Sequence, residues 1–193
     1  AAVRGDTIAY GNCDAALYLL TAGNLEVRRK IDLYRDGQVY GGVALTDEAI
    51  YAGDRSGRIY AADLTTGKLL WVNEESRGDI SSTPAVAGDR IVAASDDGAV
   101  TCLEPGSGRT LWRPPVGGRP KAPVVTAGGQ VIVSSEGTLF LLSLNEGSIV
   151  SSLPVGDEIT SPAVIDRLVV VGSSDGFVVA FRGVKKGGES RER

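Results

Sequence analysis

Apolar residues in this chain fall in short runs, each ending at a polar turn that carries glycine, and no stretch repeats them at helical spacing. Thr83-Pro84-Ala85-Val86-Ala87-Gly88-Asp89-Arg90-Ile91-Val92-Ala93-Ala94-Ser95 reads as two short strands about a Gly-Asp turn. Ile59 to Trp71 and Val100 to Trp112 each read as a hairpin, with glycine where the connection needs positive φ and an aromatic ring closing the second strand. Gln130 to Ser134 and Arg167 to Gly172 are nearly all apolar, which predicts strands covered on both faces. The pattern predicts an all-β chain with helix content near zero.

These hairpins recur. Aligning the turns places Ala15, Gly57, Gly98, Gly137 and Gly176 in one column, at spacings of 42, 41, 39 and 39 residues. Ten residues further on come Gly67, Gly108 and Gly147; fourteen further on come Trp71 and Trp112, with Arg29 and Ser151 in the same column. A unit of ~40 residues holding four antiparallel strands is the size of a propeller blade. The predicted fold is therefore a β-propeller of four-stranded antiparallel blades, about five in this chain, at residues 1–42, 43–82, 83–121, 122–160 and 161–183. Residues 184–193 form a polar, charged tail predicted to be flexible.

Gly57, Tyr60, Ala61, Asp63, Thr66, Gly67, Lys68 and Trp71 carry a pattern that closely resembles the pyrroloquinoline-quinone-type (PQQ-like) β-propeller repeat, with weaker copies along almost the whole chain. That resemblance implies a girdle in which Trp71 and Trp112, with Gly67, Gly108 and Gly147, dock one blade on the next. The same family holds two functional classes. Quinone-dependent dehydrogenases bind the quinone and calcium at the centre of an eight-bladed ring, often beside adjacent, disulfide-bonded cysteines. Non-enzymatic bacterial propellers, such as the outer-membrane assembly lipoprotein of the Bam machinery, act as scaffolds. Having no adjacent cysteines, this chain departs from the first class. The resemblance thus implies a non-catalytic scaffold, without cofactor, that binds protein or peptide partners in the periplasm or outside the cell. The alternative is part of a quinone-dependent dehydrogenase whose cofactor and calcium sites need segments absent from these residues.

Composition narrows the chemistry. The 193 residues contain no histidine, so no Ser-His-Asp triad, Cys-His pair or histidine-based zinc site can come from this chain alone. Net charge is −4 and the basic residues are scattered outside the tail, which argues against nucleic acid. No apolar run approaches the ~20 residues needed to span a bilayer. Cys13 and Cys102 sit two repeats apart, outside any metal or redox spacing. Glycine, 26 residues or about 13% against a usual ~7%, serves the many turns.

The polar residues concentrate in the turns between second and third strands and in the crossings between blades, which share one face of a propeller. Asp54, Arg55, Asp96, Asp97, Glu136 and Asp175 from the turns, with Glu74, Arg77 and Asp157 from the crossings, are the candidate partner-binding residues. Asp before Gly is also ordinary turn chemistry, which outweighs a cation site here. Arg4-Gly5-Asp6 and Arg77-Gly78-Asp79 read as chance triplets, and the paired serines as strand-end hydroxyls without a base.

The last repeat lacks an outer strand, and the chain starts without methionine or a signal-like segment, which reads as a processed or excised piece. It is predicted either to close as a five-bladed ring or to be part of a seven- or eight-bladed one, completed by further blades of a longer chain or by a second copy.

Overall fold

The computed structural model describes residues 1–34 and 36–182; the tail 184–193 lies outside the described residues. Nineteen strands and no helix make up that part, in five antiparallel sheets. The first holds β1 (Ala2–Arg4), β2 (Thr7–Gly11), β3 (Ala16–Thr21) and β4 (Val27–Asp32). The second holds β5 (Val43–Leu45), β6 (Ala49–Gly53), β7 (Ile59–Asp63) and β8 (Leu69–Asn73). The third holds β9 (Ala85–Ala87), β10 (Arg90–Ser95), β11 (Ala99–Leu103) and β12 (Thr110–Trp112). The fourth holds β13 (Val125–Ala127), β14 (Gln130–Ser135), β15 (Thr138–Ser143) and β16 (Ile149–Pro154). The fifth has three strands among the described residues, β17 (Ala163–Ile165), β18 (Leu168–Gly172) and β19 (Val178–Arg182).

Each sheet is a meander because its turns are short and rich in glycine, so consecutive strands must pair with one another. Gly57, Gly98, Gly137 and Gly176 all have φ between +78° and +87°, and Ala15 takes the same region at +58°. Gly67, Gly108 and Gly147, at +70° to +73°, close the third-to-fourth-strand hairpins with an N–H bond to the carbonyl four residues earlier. Leu25, at +61°, makes the same bond in the first sheet. In all four complete sheets the register between third and fourth strands slips once, at Leu19/Leu20, Ala61/Ala62, Cys102/Leu103 and Leu141/Leu142. Such a bulge bends the outer strand and deepens the twist that a blade needs.

The turn before Gly137 is one residue shorter than its counterparts. Ser135 pairs with Thr138, whereas Ser95 pairs with Ala99 and Asp54 bonds Arg58. Ser135 therefore stands in the place of Asp54 and Ser95, one residue away from where glycine alignment puts it.

The core lies between blades. One apolar cluster joins the first and second sheets through Leu17, Leu19, Ile50 and Ala62, and three more join second to third, third to fourth and fourth to fifth. Among the described residues no cluster joins the fifth sheet to the first, so the blades form an open arc and not a closed five-bladed ring. This corrects the expectation that Arg167 to Gly172 is covered on both faces. Val171 is buried and Val169 packs toward the fourth blade, but Leu168 and Val170, on the opposite face of β18, are only half-buried, because no described blade follows the fifth.

Candidate functional site

Strand order puts the second-to-third-strand turns and the blade crossings on one face, and the structure ties these loops together through few side chains. Asp54, at the end of β6, is fully buried. Its Oδ1 accepts the N–H groups of Ser56 (2.8 Å) and Arg58 (2.9 Å), and its Oδ2 accepts the Tyr60 hydroxyl (2.6 Å). A carboxylate so placed clamps the turn and cannot itself meet a partner, which corrects its place among the partner-binding candidates.

Arg58 extends this clamp to the surface. It pairs with Asp36 at 2.8 and 3.2 Å and with Glu74 at 3.3 Å, and its guanidinium lies 5.6 Å from the Tyr34 ring centroid. Asp36 and Tyr34 belong to the crossing into the second blade and Glu74 to the crossing out of it, so one arginine pins two successive loops. The Arg58 partnership lowers the Asp36 carboxyl below its usual range and raises Arg58 further, mainly through their hydrogen bond. Burial raises the Tyr60 hydroxyl well above its usual value, so it stays protonated as a donor. Arg58 carries no repeat signature in the sequence; only its contacts single it out.

A second group forms around Asp97, which accepts from the Ser95 hydroxyl, the Arg77 N–H (2.9 Å) and Arg113. Burial alone would raise the Asp97 carboxyl, yet those donors outweigh it and the net shift is downward. Asp79 pairs with Arg55 at 3.3 Å, and Asp96 accepts from the Ser81 hydroxyl at 2.8 Å. Between these two pairs lies a cavity of about 440 Å³, completed by Tyr40 and Lys121. Glu136, Asp157 and Asp175 also face solvent, but at the other end of the arc, around the fourth and fifth blades. The sequence-selected residues thus share a face yet make two separate stretches.

The remaining motifs are absorbed into structure. Arg4 pairs with Asp47, Asp6 with Arg28 and Asp79 with Arg55, so both ends of the first Arg-Gly-Asp triplet and the aspartate of the second are engaged, and a Cβ on Gly78 would collide with the Asp97 backbone. Ser82 bonds Ala94, Ser134 bonds Thr160 and Ser135 bonds Gly117 through their hydroxyls. Both cysteines are free; Cys13 is exposed, and burial pushes the Cys102 thiol up to about 12.

The docking geometry between blades is explicit. Trp71 Nε1 donates to Pro105 O at 2.7 Å, and Trp112 Nε1 donates to Leu144 O at 3.0 Å, each ring lying over the next blade's Gly108 or Gly147. In the first blade Arg29 takes the role, donating to Thr65 O (2.7 Å) and Thr66 O (2.9 Å) with its stem against Gly67. Asn73 adds bonds to Gly108 O (3.0 Å) and Thr110 Oγ1 (3.1 Å), a contact with no warning in the sequence.

Comparison with known proteins rests on this repeat. Residues 20–182 match the family profile described as outer membrane protein assembly factor BamB. The chain belongs to that family. The BamB of Xanthomonas campestris is 26% identical over 157 residues, 79% of this chain and 38% of that protein. The BamB of Nitrosomonas eutropha is 36% identical over 81 residues, 37% of this chain and 20% of the relative. The quinoprotein alcohol dehydrogenase PedE of Pseudomonas putida is 28% identical over 93 residues, 48% of this chain and 15% of the enzyme. Among solved structures, BamB from Moraxella catarrhalis superposes with a TM-score of 0.82 at 20% identity, covering 94% of this chain and 60% of that one. The computationally designed protein Ika8 gives 0.85 at 18%, covering 94% and 57%. These likenesses show a propeller fold in which five blades occupy somewhat over half of the longer chain.

The two cysteines lie in the first and third blades, and among the described residues no three acidic, histidine or cysteine side chains converge as metal ligands.

Proposed function

We propose that this chain is the arc of a non-catalytic propeller scaffold in the bacterial envelope, which holds protein partners on the face built by its turns and crossings. The observation that carries this reading is the Arg58 hub. A long surface loop ordinarily loses entropy when a partner orders it. Here Tyr34, Asp36 and Glu74 are already fixed to one guanidinium, so two crossings are presented preformed. Around them Glu75 and Arg77 are exposed, leaving polar contacts for a partner surface. The names of the BamB relatives support an envelope setting and an assembly role. The face favours a mixed-charge protein surface over nucleic acid, since its carboxylates outnumber its bases.

Site-specific photo-crosslinking tests the reading. A crosslinking residue at Glu75 or Arg77 should trap a discrete partner in envelope-expressing cells, while one at Lys68, on the opposite face, should not. Equal trapping from both faces would rule this reading out.

The stretch shared with PedE supports a second reading, a quinone-dependent enzyme arc. Titration with pyrroloquinoline quinone and calcium, read by absorbance, separates the two: saturation near one equivalent would replace the scaffold reading.

A further inference from the structure

We propose that the cavity between the Arg55/Asp79 and Ser81/Asp96 pairs is a sugar site, which takes an uncharged sugar with one ring face laid on Tyr40 and its hydroxyls on Arg55, Asp79, Asp96 and Lys121. Such a site goes beyond the scaffold role and needs no protein partner. At about 440 Å³ the cavity lies within the range usual for small-ligand sites. The crossings into the second, third and fourth blades and the turns of the second and third all contribute to it, and each of those blades has a described blade on either side.

Tyr40 supplies the first argument. Five of the six tyrosines pair with another aromatic ring, Tyr10 with Tyr18, Tyr34 with Tyr60 and Tyr51 with Trp71. Tyr40 has no such partner and no hydrogen bond among the described residues, and it stands 72% exposed in the cavity wall. Its ring offers a flat apolar face beside polar groups.

Those polar groups decide the charge of the occupant. Arg55 and Asp79 balance each other at 3.3 Å, Asp96 accepts from Ser81 Oγ at 2.8 Å, and Lys121 lines the same space. An anion would meet Asp79 and Asp96, and a cation would meet Arg55 and Lys121, each at a like-charge cost. A hydroxyl both donates and accepts, so a ring of hydroxyls serves the carboxylates and the cations together and adds no charge. The C–H face of the same ring matches the tyrosine. A purely apolar ligand would bury the carboxylates without partners.

The walls are already in place. Arg55 N–H donates to Gln38 O at 3.0 Å and Asp96 N–H to Asp79 O at 2.9 Å, which ties each turn to the crossing beside it. A Cβ on Gly41 would stand 2.7 Å from the carbonyl oxygens of Ser81 and Ser82, and Gly42 N–H donates to Thr83 Oγ1 at 3.1 Å, so the crossing that carries Tyr40 packs directly on the next. Little ordering is left to oppose binding.

Amide NMR on the full chain, titrated with the uncharged disaccharides maltose, cellobiose and diacetylchitobiose, tests this. At least one should saturate with a Kd of about 1 mM or tighter. It should shift Gly41, Gly42, Ser81 and Asp96 and leave Lys68, on the opposite face, unmoved. Tyr40→Ala, with an unchanged circular dichroism spectrum, should weaken binding about tenfold, while Tyr40→Phe keeps the ring and the affinity. Cationic chitobiose and anionic lactobionate should bind more weakly than the uncharged sugars. No saturable shift from any of the three, tighter binding of a charged sugar, or full affinity in Tyr40→Ala overturns the proposal. Crosslinking at Glu75 bears on the scaffold reading alone, so either can fail without the other.

Discussion

The Tyr60 hydroxyl donates a 2.6 Å hydrogen bond to Asp54 Oδ2, and both groups are completely buried beneath the loop face. Removing the donor alone, Tyr60→Phe, leaves the carboxylate its two backbone N–H partners, and should cost about 1.5–3 kcal/mol. Asp54→Ala strands the tyrosine, two N–H groups and one side of Arg58, and should cost about 3–5 kcal/mol. Asp54→Ser should fall between them, because serine holds the corresponding turn at Ser95 and Ser135 but cannot reach Tyr60. Urea unfolding of the three variants and the double mutant checks the order, and additive effects would refute the coupling.

Trp71 and Gly108 should behave as one unit across the second junction. A Cβ on Gly108 would stand 2.5 Å from the Trp71 ring at a backbone φ of +70°. Gly108→Ala and Trp71→Ala should each be strongly destabilising, Trp71→Ala by about 3–5 kcal/mol. The double variant should cost clearly less than the two summed, since removing the ring removes the clash. Thermal unfolding of the four proteins measures this directly.

Leu25 holds the place where later blades have glycine, with φ +61°, and the residue is 61% exposed. Left-handed backbone is costly for a residue with a Cβ, while the exposed leucine contributes little packing. Leu25→Gly should therefore stabilise the chain by about 0.5–1 kcal/mol after allowing for the greater freedom of glycine when unfolded. A lower midpoint for the variant would contradict this.

Asp97 supplies a pH dependence with a definite sign. Its folded carboxyl lies below its unfolded value, so the stability it adds is complete above the unfolded value and disappears as pH falls through the folded one. Asp97→Asn should be less stable than wild type at neutral pH, and the gap should close in acid below pH ~4. Chemical denaturation at both ends of that range measures the gap.

The sequence went far with local features. Glycine turns at Gly57, Gly98, Gly137 and Gly176 need positive φ, and that requirement shows as residue type, so the repeat and its hairpins were legible. Trp71 and Trp112 were readable as docking groups because large rings recur at one position. Less legible was whatever depends on two distant segments meeting. Asp54 looked like any acidic turn residue, and only packing reveals it as a buried clamp. Arg58, between Asp36 and Glu74, is one of many arginines until two crossings converge on it. Arg29 lacks an aromatic ring, yet performs the tryptophan's docking with two carbonyl bonds.

Turn chemistry and strand patterning are short-range and written residue by residue; by themselves they determined an all-β chain of blades. Whether a strand face is covered depends on which sheet comes next in space. Only the tertiary structure decided that the five blades make an open arc, that the turn before Gly137 is a residue short, and that Val178 stands exposed where Leu17, Ile59, Val100 and Leu139 are buried. The physical reason is that burial belongs to pairs of surfaces, and a one-dimensional repeat specifies each surface without saying where its partner ends.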